Sequence, residues 1–485
     1  MAPGTDPKSA LVVYNTLTRS KEKFVPMSGD EVKMFVCGQT VYDDAHLGHA
    51  KNYINFDVIV RWMRKIGYRV NYIQNITDVD DKIIARANEK GQDPIELARH
   101  FEKRFLEDME SIGVKEDVSE YIRSHDYIDA IRDQIQLLID NGYAYRLDED
   151  VYYNVAKFHD YNKLSGMDMK EIGRHRIEVR PGKVNDYDFV LWKGAKPGEP
   201  QWKIGLVLDG QKVELSGRPG WHIEDTAMTA SVFGPQYDVH GGASELIFPH
   251  HTNEIAQAEA AYGKKPFVKY WLHSGVLNIK GQKMSKSLSN FVKIRDFLKS
   301  SDAETLRLIF CSRHFRKEID YTDEVARSAA KKLRYIYASL SRFYNMPESE
   351  NPQSAEVTAL VESFRAQFTD AMNDDFNTSL ALSGIITLVN SLRAFAEANS
   401  AVEKSVKDDA IRAIIEYAGV FGILTKETYK EAIPDEAYAM IKKREVLRKE
   451  KKFGESDEIR GQISEKFGIR IEDTEDGTVW YREGE

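Results

Sequence analysis

Apolar residues run together at Val32-Lys-Met-Phe-Val-Cys37, a stretch of strand length. After Gly38 to His46 they recur at Ile54, Val58, Ile59, Trp62, Met63 and Ile66, which is helical spacing, and Gly67 fits a C-cap. Val70 to Ile73 reads as a second strand. Strand, helix, strand in that order predicts a βαβ unit and hence a parallel sheet. Asp93, Pro94 and Glu96 have the form of a helix start: N-cap, first-turn proline and capping box. Leu97, Phe101, Phe105 and Met109 form the apolar stripe that follows.

The pattern changes over 121–216, where short strand-like pieces alternate with Gly/Pro punctuation. This segment reads as an insertion, with Asp209-Gly210 marking a hairpin between Leu206-Val207-Leu208 and Val213. The α/β pattern of 1–120 resumes over 217–290, and 291–324 reads as a linking segment. From 325 to 428 four helical stripes joined by short connections predict an antiparallel bundle. Residues 429–485 form a small mixed module ending in a hairpin around Asp476-Gly477.

Composition narrows the class. In a chain of 485 residues, 42% hydrophobic with 14 Pro and 31 Gly, disordered and fibrous proteins are excluded. The two cysteines, Cys37 and Cys311, exclude a disulfide scaffold and fit a reducing compartment. No apolar run reaches the roughly 18 residues of a membrane span, so a cytoplasmic protein without membrane contact is expected. The formal net charge of -9 argues by itself against a nucleic-acid partner. Its distribution argues otherwise: Lys442 to Lys452 holds seven Lys/Arg and two Glu. That run fits a solvated helix face or, beside Arg460 and Trp480, a phosphate-tracking surface.

Two motifs carry chemistry. His46-Leu47-Gly48-His49 sits between the first strand and the first helix, where backbone N–H groups and the helix dipole favour phosphate. Gly48 lets a ligand approach the backbone. Lys283-Met284-Ser285-Lys286-Ser287 offers two ammonium groups among small residues, suited to a pyrophosphate. In this order and on these elements the two resemble the signature pair of class I aminoacyl-tRNA synthetases. Further blocks narrow the resemblance to the cysteinyl-tRNA synthetase family over nearly the whole chain. They are Cys37-Gly-Gln-Thr-Val-Tyr42, Asn75-Ile-Thr-Asp-Val-Asp-Asp-Lys82, Gly217-Arg-Pro-Gly-Trp-His-Ile-Glu224, Phe248-Pro-His-His251 with Asn253-Glu254, and Asn373 to Thr378.

The resemblance implies an α/β Rossmann-type catalytic domain with an inserted connective subdomain, an α-helical bundle and a small mixed α/β anticodon-binding module. It implies ATP-dependent activation of L-cysteine and transfer to tRNA(Cys), with Mg²⁺ accompanying ATP, in a monomer. His46, His49, Lys283 and Lys286 are then expected to be catalytic and, with Gly48, Gly241 and Gly242, to bind ATP. Cys37, Thr77, Asp78 and Trp221 are expected around the cysteine, although Thr77 and Asp78 fit a helix N-cap equally well. Lys442, Lys443, Arg448, Lys449, Arg460 and Trp480 are expected to face tRNA.

The family holds a zinc ion through two Cys, a His and a Glu. Cys37, His250 and Glu254 stand at three of those places here, and the fourth is Asp225. Carboxylate is an acceptable zinc ligand, so Zn²⁺ is expected on Cys37, Asp225, His250 and Glu254, in a harder site. Other departures are Gln39 where the family usually has Pro, and Glu245 where it usually has Asp. Two rivals remain at this stage. A cysteine–amino sugar ligase would lack the residues after 325. A non-catalytic tRNA-binding paralogue would have no need of intact His46, His49, Lys283 and Lys286.

Overall fold

The computed structural model describes residues 7–167, 180–283, 290–351, 353–474 and 477–482. They form two compact units, one of Lys8–Phe297 with Arg316–Ile319, the other of Leu298–Phe315 with the chain from Asp320 onward.

The first unit is built on β1 (Glu31–Thr40), α1 (Leu47–Lys65) and β2 (Arg69–Thr77), the expected βαβ unit. Helices α2 (Asp81–Lys90) and α3 (Pro94–Ser111) follow, then β3 (Glu120–Arg123) and α4 (Ile128–Asp140). Asp93 caps α3 as predicted, its side chain accepting from the amides of Ile95 and Glu96 at 2.9 and 3.0 Å. The insertion supplies β4 (Ala144–Leu147), β5 (Asp150–Tyr153), β6 (Phe189–Gly194), β7 (Trp202–Leu208) and β8 (Gln211–Pro219). These make a five-stranded antiparallel sheet in the order β4-β5-β6-β8-β7. Asp209 and Gly210 turn β7 into β8 with φ of 49° and 78°, the paired positive values that a tight two-residue hairpin demands.

After the insertion come α5 (Ile223–Phe233), β9 (Tyr237–Ala243), α6 (Thr252–Tyr262) and β10 (Val268–Ser274). The central sheet runs β10-β9-β1-β2-β3, all parallel. Its strand order reverses between β1 and β9, which places the ligand crevice of an open α/β sheet at their carboxyl ends. Residues Met34 to Cys37 are buried without a break, as in a parallel strand covered on both faces.

In the second unit α7 (Ala303–Cys311) leads into four long helices, α8 (Asp323–Tyr344), α9 (Ser354–Asn373), α10 (Thr378–Ala398) and α11 (Lys404–Phe421). Helix α10 has the length and apolar character of a membrane span, with a mean hydropathy of 1.4. It buries Leu382, Ile385, Leu388, Val389 and Leu392 and exposes Ser383 and Thr387, as a core helix of a bundle does. Cys311 is fully buried, a packing residue. The unit ends with α12 (Asp435–Lys449), α13 (Phe453–Phe467) and the hairpin β11 (Ile469–Thr474) and β12 (Gly477–Arg482), which enclose a core of Ala437, Ile441, Ile459, Ile463 and Ile469.

Candidate active site and metal centre

A cavity of 550 Å³ opens at the carboxyl ends of β1 and β2. Cys37, His46, Gly48, His49, Thr77, Trp221, Asp225 and His250, eight of the residues singled out in the sequence, line it together.

At one side His46 and His49 begin α1. Each imidazole caps the other's backbone: His46 Nδ1 accepts from the His49 amide at 3.3 Å, and His49 Nδ1 accepts from the His46 amide at 3.4 Å. The rings stack with centroids 3.7 Å apart. With both Nδ1 atoms accepting, the ring protons reside on Nε2, leaving two N–H donors for the cavity. Burial lowers the pKa of His46 to about 4 and holds that of His49 well below the usual range. The pair is therefore neutral at pH 7, a hydrogen-bonding device rather than a charged one. A cation at this cavity comes instead from Lys82, over the rings of Tyr42 and Trp221 at 5.8 and 5.9 Å.

On the floor stands a cluster of side chains that could hold a metal ion. A β-bulge shifts the β1–β2 register between Val36 and Gln39, and this re-aims Cys37. Only glycine fits beside it, since a Cβ on Gly38 would lie 1.6 Å from the Asn75 carbonyl oxygen. Asp225 comes from the first turn of α5, delivered by β8 through Gly220, whose close approach to Val190 likewise leaves no room for a side chain. His250 lies in the turn just before α6, and Glu254 in its first turn. His250 Nε2 is 2.9 Å from Asp225 Oδ2 and 3.0 Å from Glu254 Oε1, and Cys37 Sγ is 3.7 Å from Asp225 Oδ2. Tetrahedral zinc ligands lie roughly 3.2–3.8 Å apart, and these three separations fall at or just below that range.

The charge pattern also suits a cation. Glu254 is fully buried, and despite the 3.0 Å approach of His250 Nε2 neither of its oxygens makes a well-aligned hydrogen bond among the described residues. Burial, reinforced by Asp225 and Glu224, pushes its carboxyl well above the usual range. Burial, with Glu254 and Asp225 adding to it, likewise pushes the Cys37 thiol up. A divalent cation here would displace those protons and pair the orphaned oxygens.

A ring of histidines that the sequence reading missed surrounds this cluster. His251 Nε2 and His240 Nε2 lie 3.2 and 3.3 Å from Cys37 Sγ. Cys37, His250, His251 and Glu254 offer donor atoms that all lie within 4.8 Å of one another, a set that holds His251 and not the expected Asp225. His222 Nδ1 meets His250 Nδ1 at 2.9 Å, and His273 Nε2 meets His251 Nδ1 at 2.8 Å. Asn75 donates to Asp225 Oδ1 at 2.7 Å. Trp221 stacks on His250 with centroids 4.4 Å apart, remains 38% exposed and lines the cavity.

Two expectations are placed differently, and a third falls largely outside the described residues. Asp78 turns away, hydrogen-bonding to His125 and lining a separate cavity. Gly241 and Gly242 do not line the cavity. A Cβ on either would strike the Phe56 ring at 2.4 Å or His251 at 2.8 Å, so their smallness serves packing. Lys283 pairs across a short hairpin with Asn278, while Lys286 lies outside the described residues.

In the second unit the basic run is partly spent on internal contacts. Lys442 pairs with Glu397 at 2.8 Å and Arg448 with Asp473 at 3.3 Å. Arg444, fully buried, makes a two-pronged pair with Asp473, both bonds 2.7 Å. Trp480 packs on Tyr335 and Ala338 of α8, fastening the hairpin to the bundle. Lys443, Lys449 and Arg460 remain exposed, as does Phe453 at the start of α13, with Arg448 over its ring at 5.7 Å.

Residues 23–331 match the family described as tRNA synthetases class I (C) catalytic domain, and residues 367–425 the DALR domain. The cysteine–tRNA ligase of Thermococcus onnurineus (strain NA1) is 42% identical, over 98% of this chain and 99% of that protein. That of Thermococcus kodakarensis is 44% identical, over 97% and 98%. Among solved structures, Mycobacterium tuberculosis methionyl-tRNA synthetase in complex with methionyl-adenylate shares the fold with a TM-score of 0.58. It is 16% identical, over 81% of this chain and 89% of that one. With full-length relatives above two-fifths identity and a catalytic-domain match spanning the cavity just described, the chain belongs to the cysteine–tRNA ligases of the class I aminoacyl-tRNA synthetases.

Proposed function

We propose that the chain joins L-cysteine to ATP as cysteinyl-adenylate and passes the cysteinyl group to the 3′ end of tRNA(Cys). One observation carries the choice of amino acid: a thiol, an imidazole and two carboxylates converge on the floor of the same cavity whose wall holds the His46–His49 pair.

In the first step a carboxylate oxygen of cysteine attacks the α-phosphorus and pyrophosphate leaves. In the second a ribose hydroxyl of the tRNA attacks the acyl carbon and AMP leaves. No enzyme nucleophile is needed, so catalysis is positioning and charge stabilisation. His46 and His49 donate Nε2–H to phosphate oxygens beside the start of α1, where Gly48 lets the nucleotide approach the backbone. Since both rings are neutral, the phosphate charge falls to Lys283, Lys286 and the Mg²⁺ that accompanies ATP. Trp221 and Thr77 flank the amino acid.

Cys37, Asp225, His250 and Glu254 would hold a zinc ion. When bound, zinc supplies an affinity for sulfur that a serine hydroxyl does not match. A pocket relying on shape alone separates such near-isosteres by only about 10–200-fold. Lys443, Lys449 and Arg460 are the basic residues best placed to meet tRNA, with Phe453 as a face for a base. Lys442, Arg448 and Trp480 act mainly in holding the module together. Two buried free cysteines fit work in the cytoplasm, and we take the active form to be a monomer.

The test is ATP–pyrophosphate exchange with cysteine and with serine, run beside metal analysis of the same preparation. Cysteine-dependent exchange with about one zinc per chain is expected. No cysteine-dependent exchange would sink the reading, whereas active zinc-free protein would sink only the metal assignment. Replacing Asp225→Cys should keep the exchange and tighten zinc by at least about tenfold, the scale of a single supporting contact. Chelator competition measures this, and loss of metal in that variant would remove Asp225 from the ligand set.

A further inference from the structure

The chain that emerges after Lys286 is fastened to the start of α1 more firmly than a simple connection requires. Its backbone is zipped there: Leu47 N donates to Val292 O at 2.9 Å, and Ile294 N to Ala45 O at 3.1 Å. His46 and Lys293 form an antiparallel bridge between them, and Phe291 stacks on His46 at 5.0 Å. Asp44 stands at the centre of this junction. Its carboxylate takes Lys293 Nζ at 2.8 Å from one side and Arg104 Nε of α3 from the other. Arg295, two residues on, reaches back to α3 through Asp108 and Glu107 at 2.8 and 2.9 Å.

Asp44 differs from an ordinary surface ion pair in two ways. Its own side chain is only 9% exposed, while those of Arg104 and Lys293 are 31% and 42% exposed, so the carboxylate is the sheltered end of each contact. Its two partners belong to segments far apart in sequence, so the carboxylate fixes a three-way junction. Burial alone would raise its pKa, but the bonds from Arg104 and Lys293 bring it down to about 2, which keeps it anionic. Its neighbour Asp43, 3.8 Å from Lys293 and more exposed, is a poor substitute.

We propose that Asp44 is a positioning residue for adenylate formation, locking Lys293 and Arg104 so that the His46–His49 pair keeps register with the chain carrying Lys283 and Lys286. It touches no substrate. Its effect falls on the ATP phosphates, which need groups from both segments, and not on cysteine, which lies across the cavity. The inference rests on the ATP-binding role proposed above.

The experiment measures pyrophosphate exchange against ATP and cysteine separately, with direct ATP binding by calorimetry, for wild type, Asp44→Asn, Lys293→Met, the double variant and Asp44→Glu. Asp44→Asn should raise the KM and Kd for ATP by about 10–100-fold, the scale of a misplacement near 1 Å. The KM for cysteine should move less than about twofold. The double variant should be no worse than the poorer single one, since both break one contact. Asp44→Glu, which keeps the charge, should recover most of the loss. If Asp44→Asn does not fold, Lys293→Met carries the same test. An unchanged ATP affinity, equal rises in both KM values, or additive effects in the double variant overturn the inference. Wild type that binds ATP but shows no exchange would instead overturn the proposed function, and the ATP affinities of the variants would still decide the role of Asp44.

Discussion

Replacing Cys37→Ala is expected to cost more than 100-fold in zinc affinity, beyond the roughly 10–100-fold that follows loss of a group supporting a ligand. Cys37 is the one sulfur among the four proposed donors, and its removal leaves the two carboxylates Asp225 and Glu254 with His250 alone between them. Cysteine-dependent exchange should fall by a similar factor, while the KM for ATP stays within about threefold, because His46 and His49 lie on the opposite wall. What preference remains for cysteine over serine should drop to the roughly 10–200-fold available from shape. Cys37→Ser keeps the volume and separates loss of the ligand from loss of packing. One zinc per chain in purified Cys37→Ala protein would end the assignment.

Removing the second imidazole of the pair, His49→Ala, should lower kcat for adenylate formation by about 100–1,000-fold, the cost of deleting one preorganised donor. The same change takes away the acceptor for the His46 amide and weakens the start of α1 by about 1 kcal/mol. Asparagine distinguishes the two effects. Its side-chain oxygen still accepts the His46 amide, so His49→Asn should recover thermal stability yet stay far below wild-type kcat. A His49→Ala enzyme within fivefold of wild type would show that the pair shapes the helix and does not meet the phosphates.

Much of this site was legible from the chain because its parts are local. His46-Leu-Gly-His49 and Asp93-Pro-Ile-Glu96 announce helix starts within four residues, and His250 and Glu254 share a face through helical spacing. The bulge at Cys37 was not legible, because it depends on Asn75 of a neighbouring strand. Nor was the histidine ring: His222, His240, His251 and His273 converge only once α5, β9, α6 and β10 are assembled, and a single histidine in an apolar stretch looks the same whether it packs or ligates. Asp78 belongs to the same class of difficulty, since its direction is set by His125, 47 residues away. Helix α4 shows a different failure. Ile128, Ile131, Ile135 and Leu138 carry helical spacing, but the surrounding Gly/Pro punctuation drew the whole segment toward short strands. In α7 the N-cap Asp302 and the stripe Leu306, Ile309 and Phe310 were present within a stretch read as a linker.

The bulge beside Gly38 also shapes how the enzyme is open to change. Two of the four candidate zinc donors stand beside backbone that admits only glycine: Cys37 next to Gly38 in the strand bulge, and Asp225 at the end of the path through Gly220. Asp225 projects from the first turn of α5, where its carboxylate meets Asn75, His250 and the Cys37 thiol. A one-residue exchange there alters the hardness of the donor set without moving the scaffold. On the zinc-site reading proposed above, metal preference is an adjustable trait separable from the fold, and position 225 is where selection, natural or in the laboratory, can retune it.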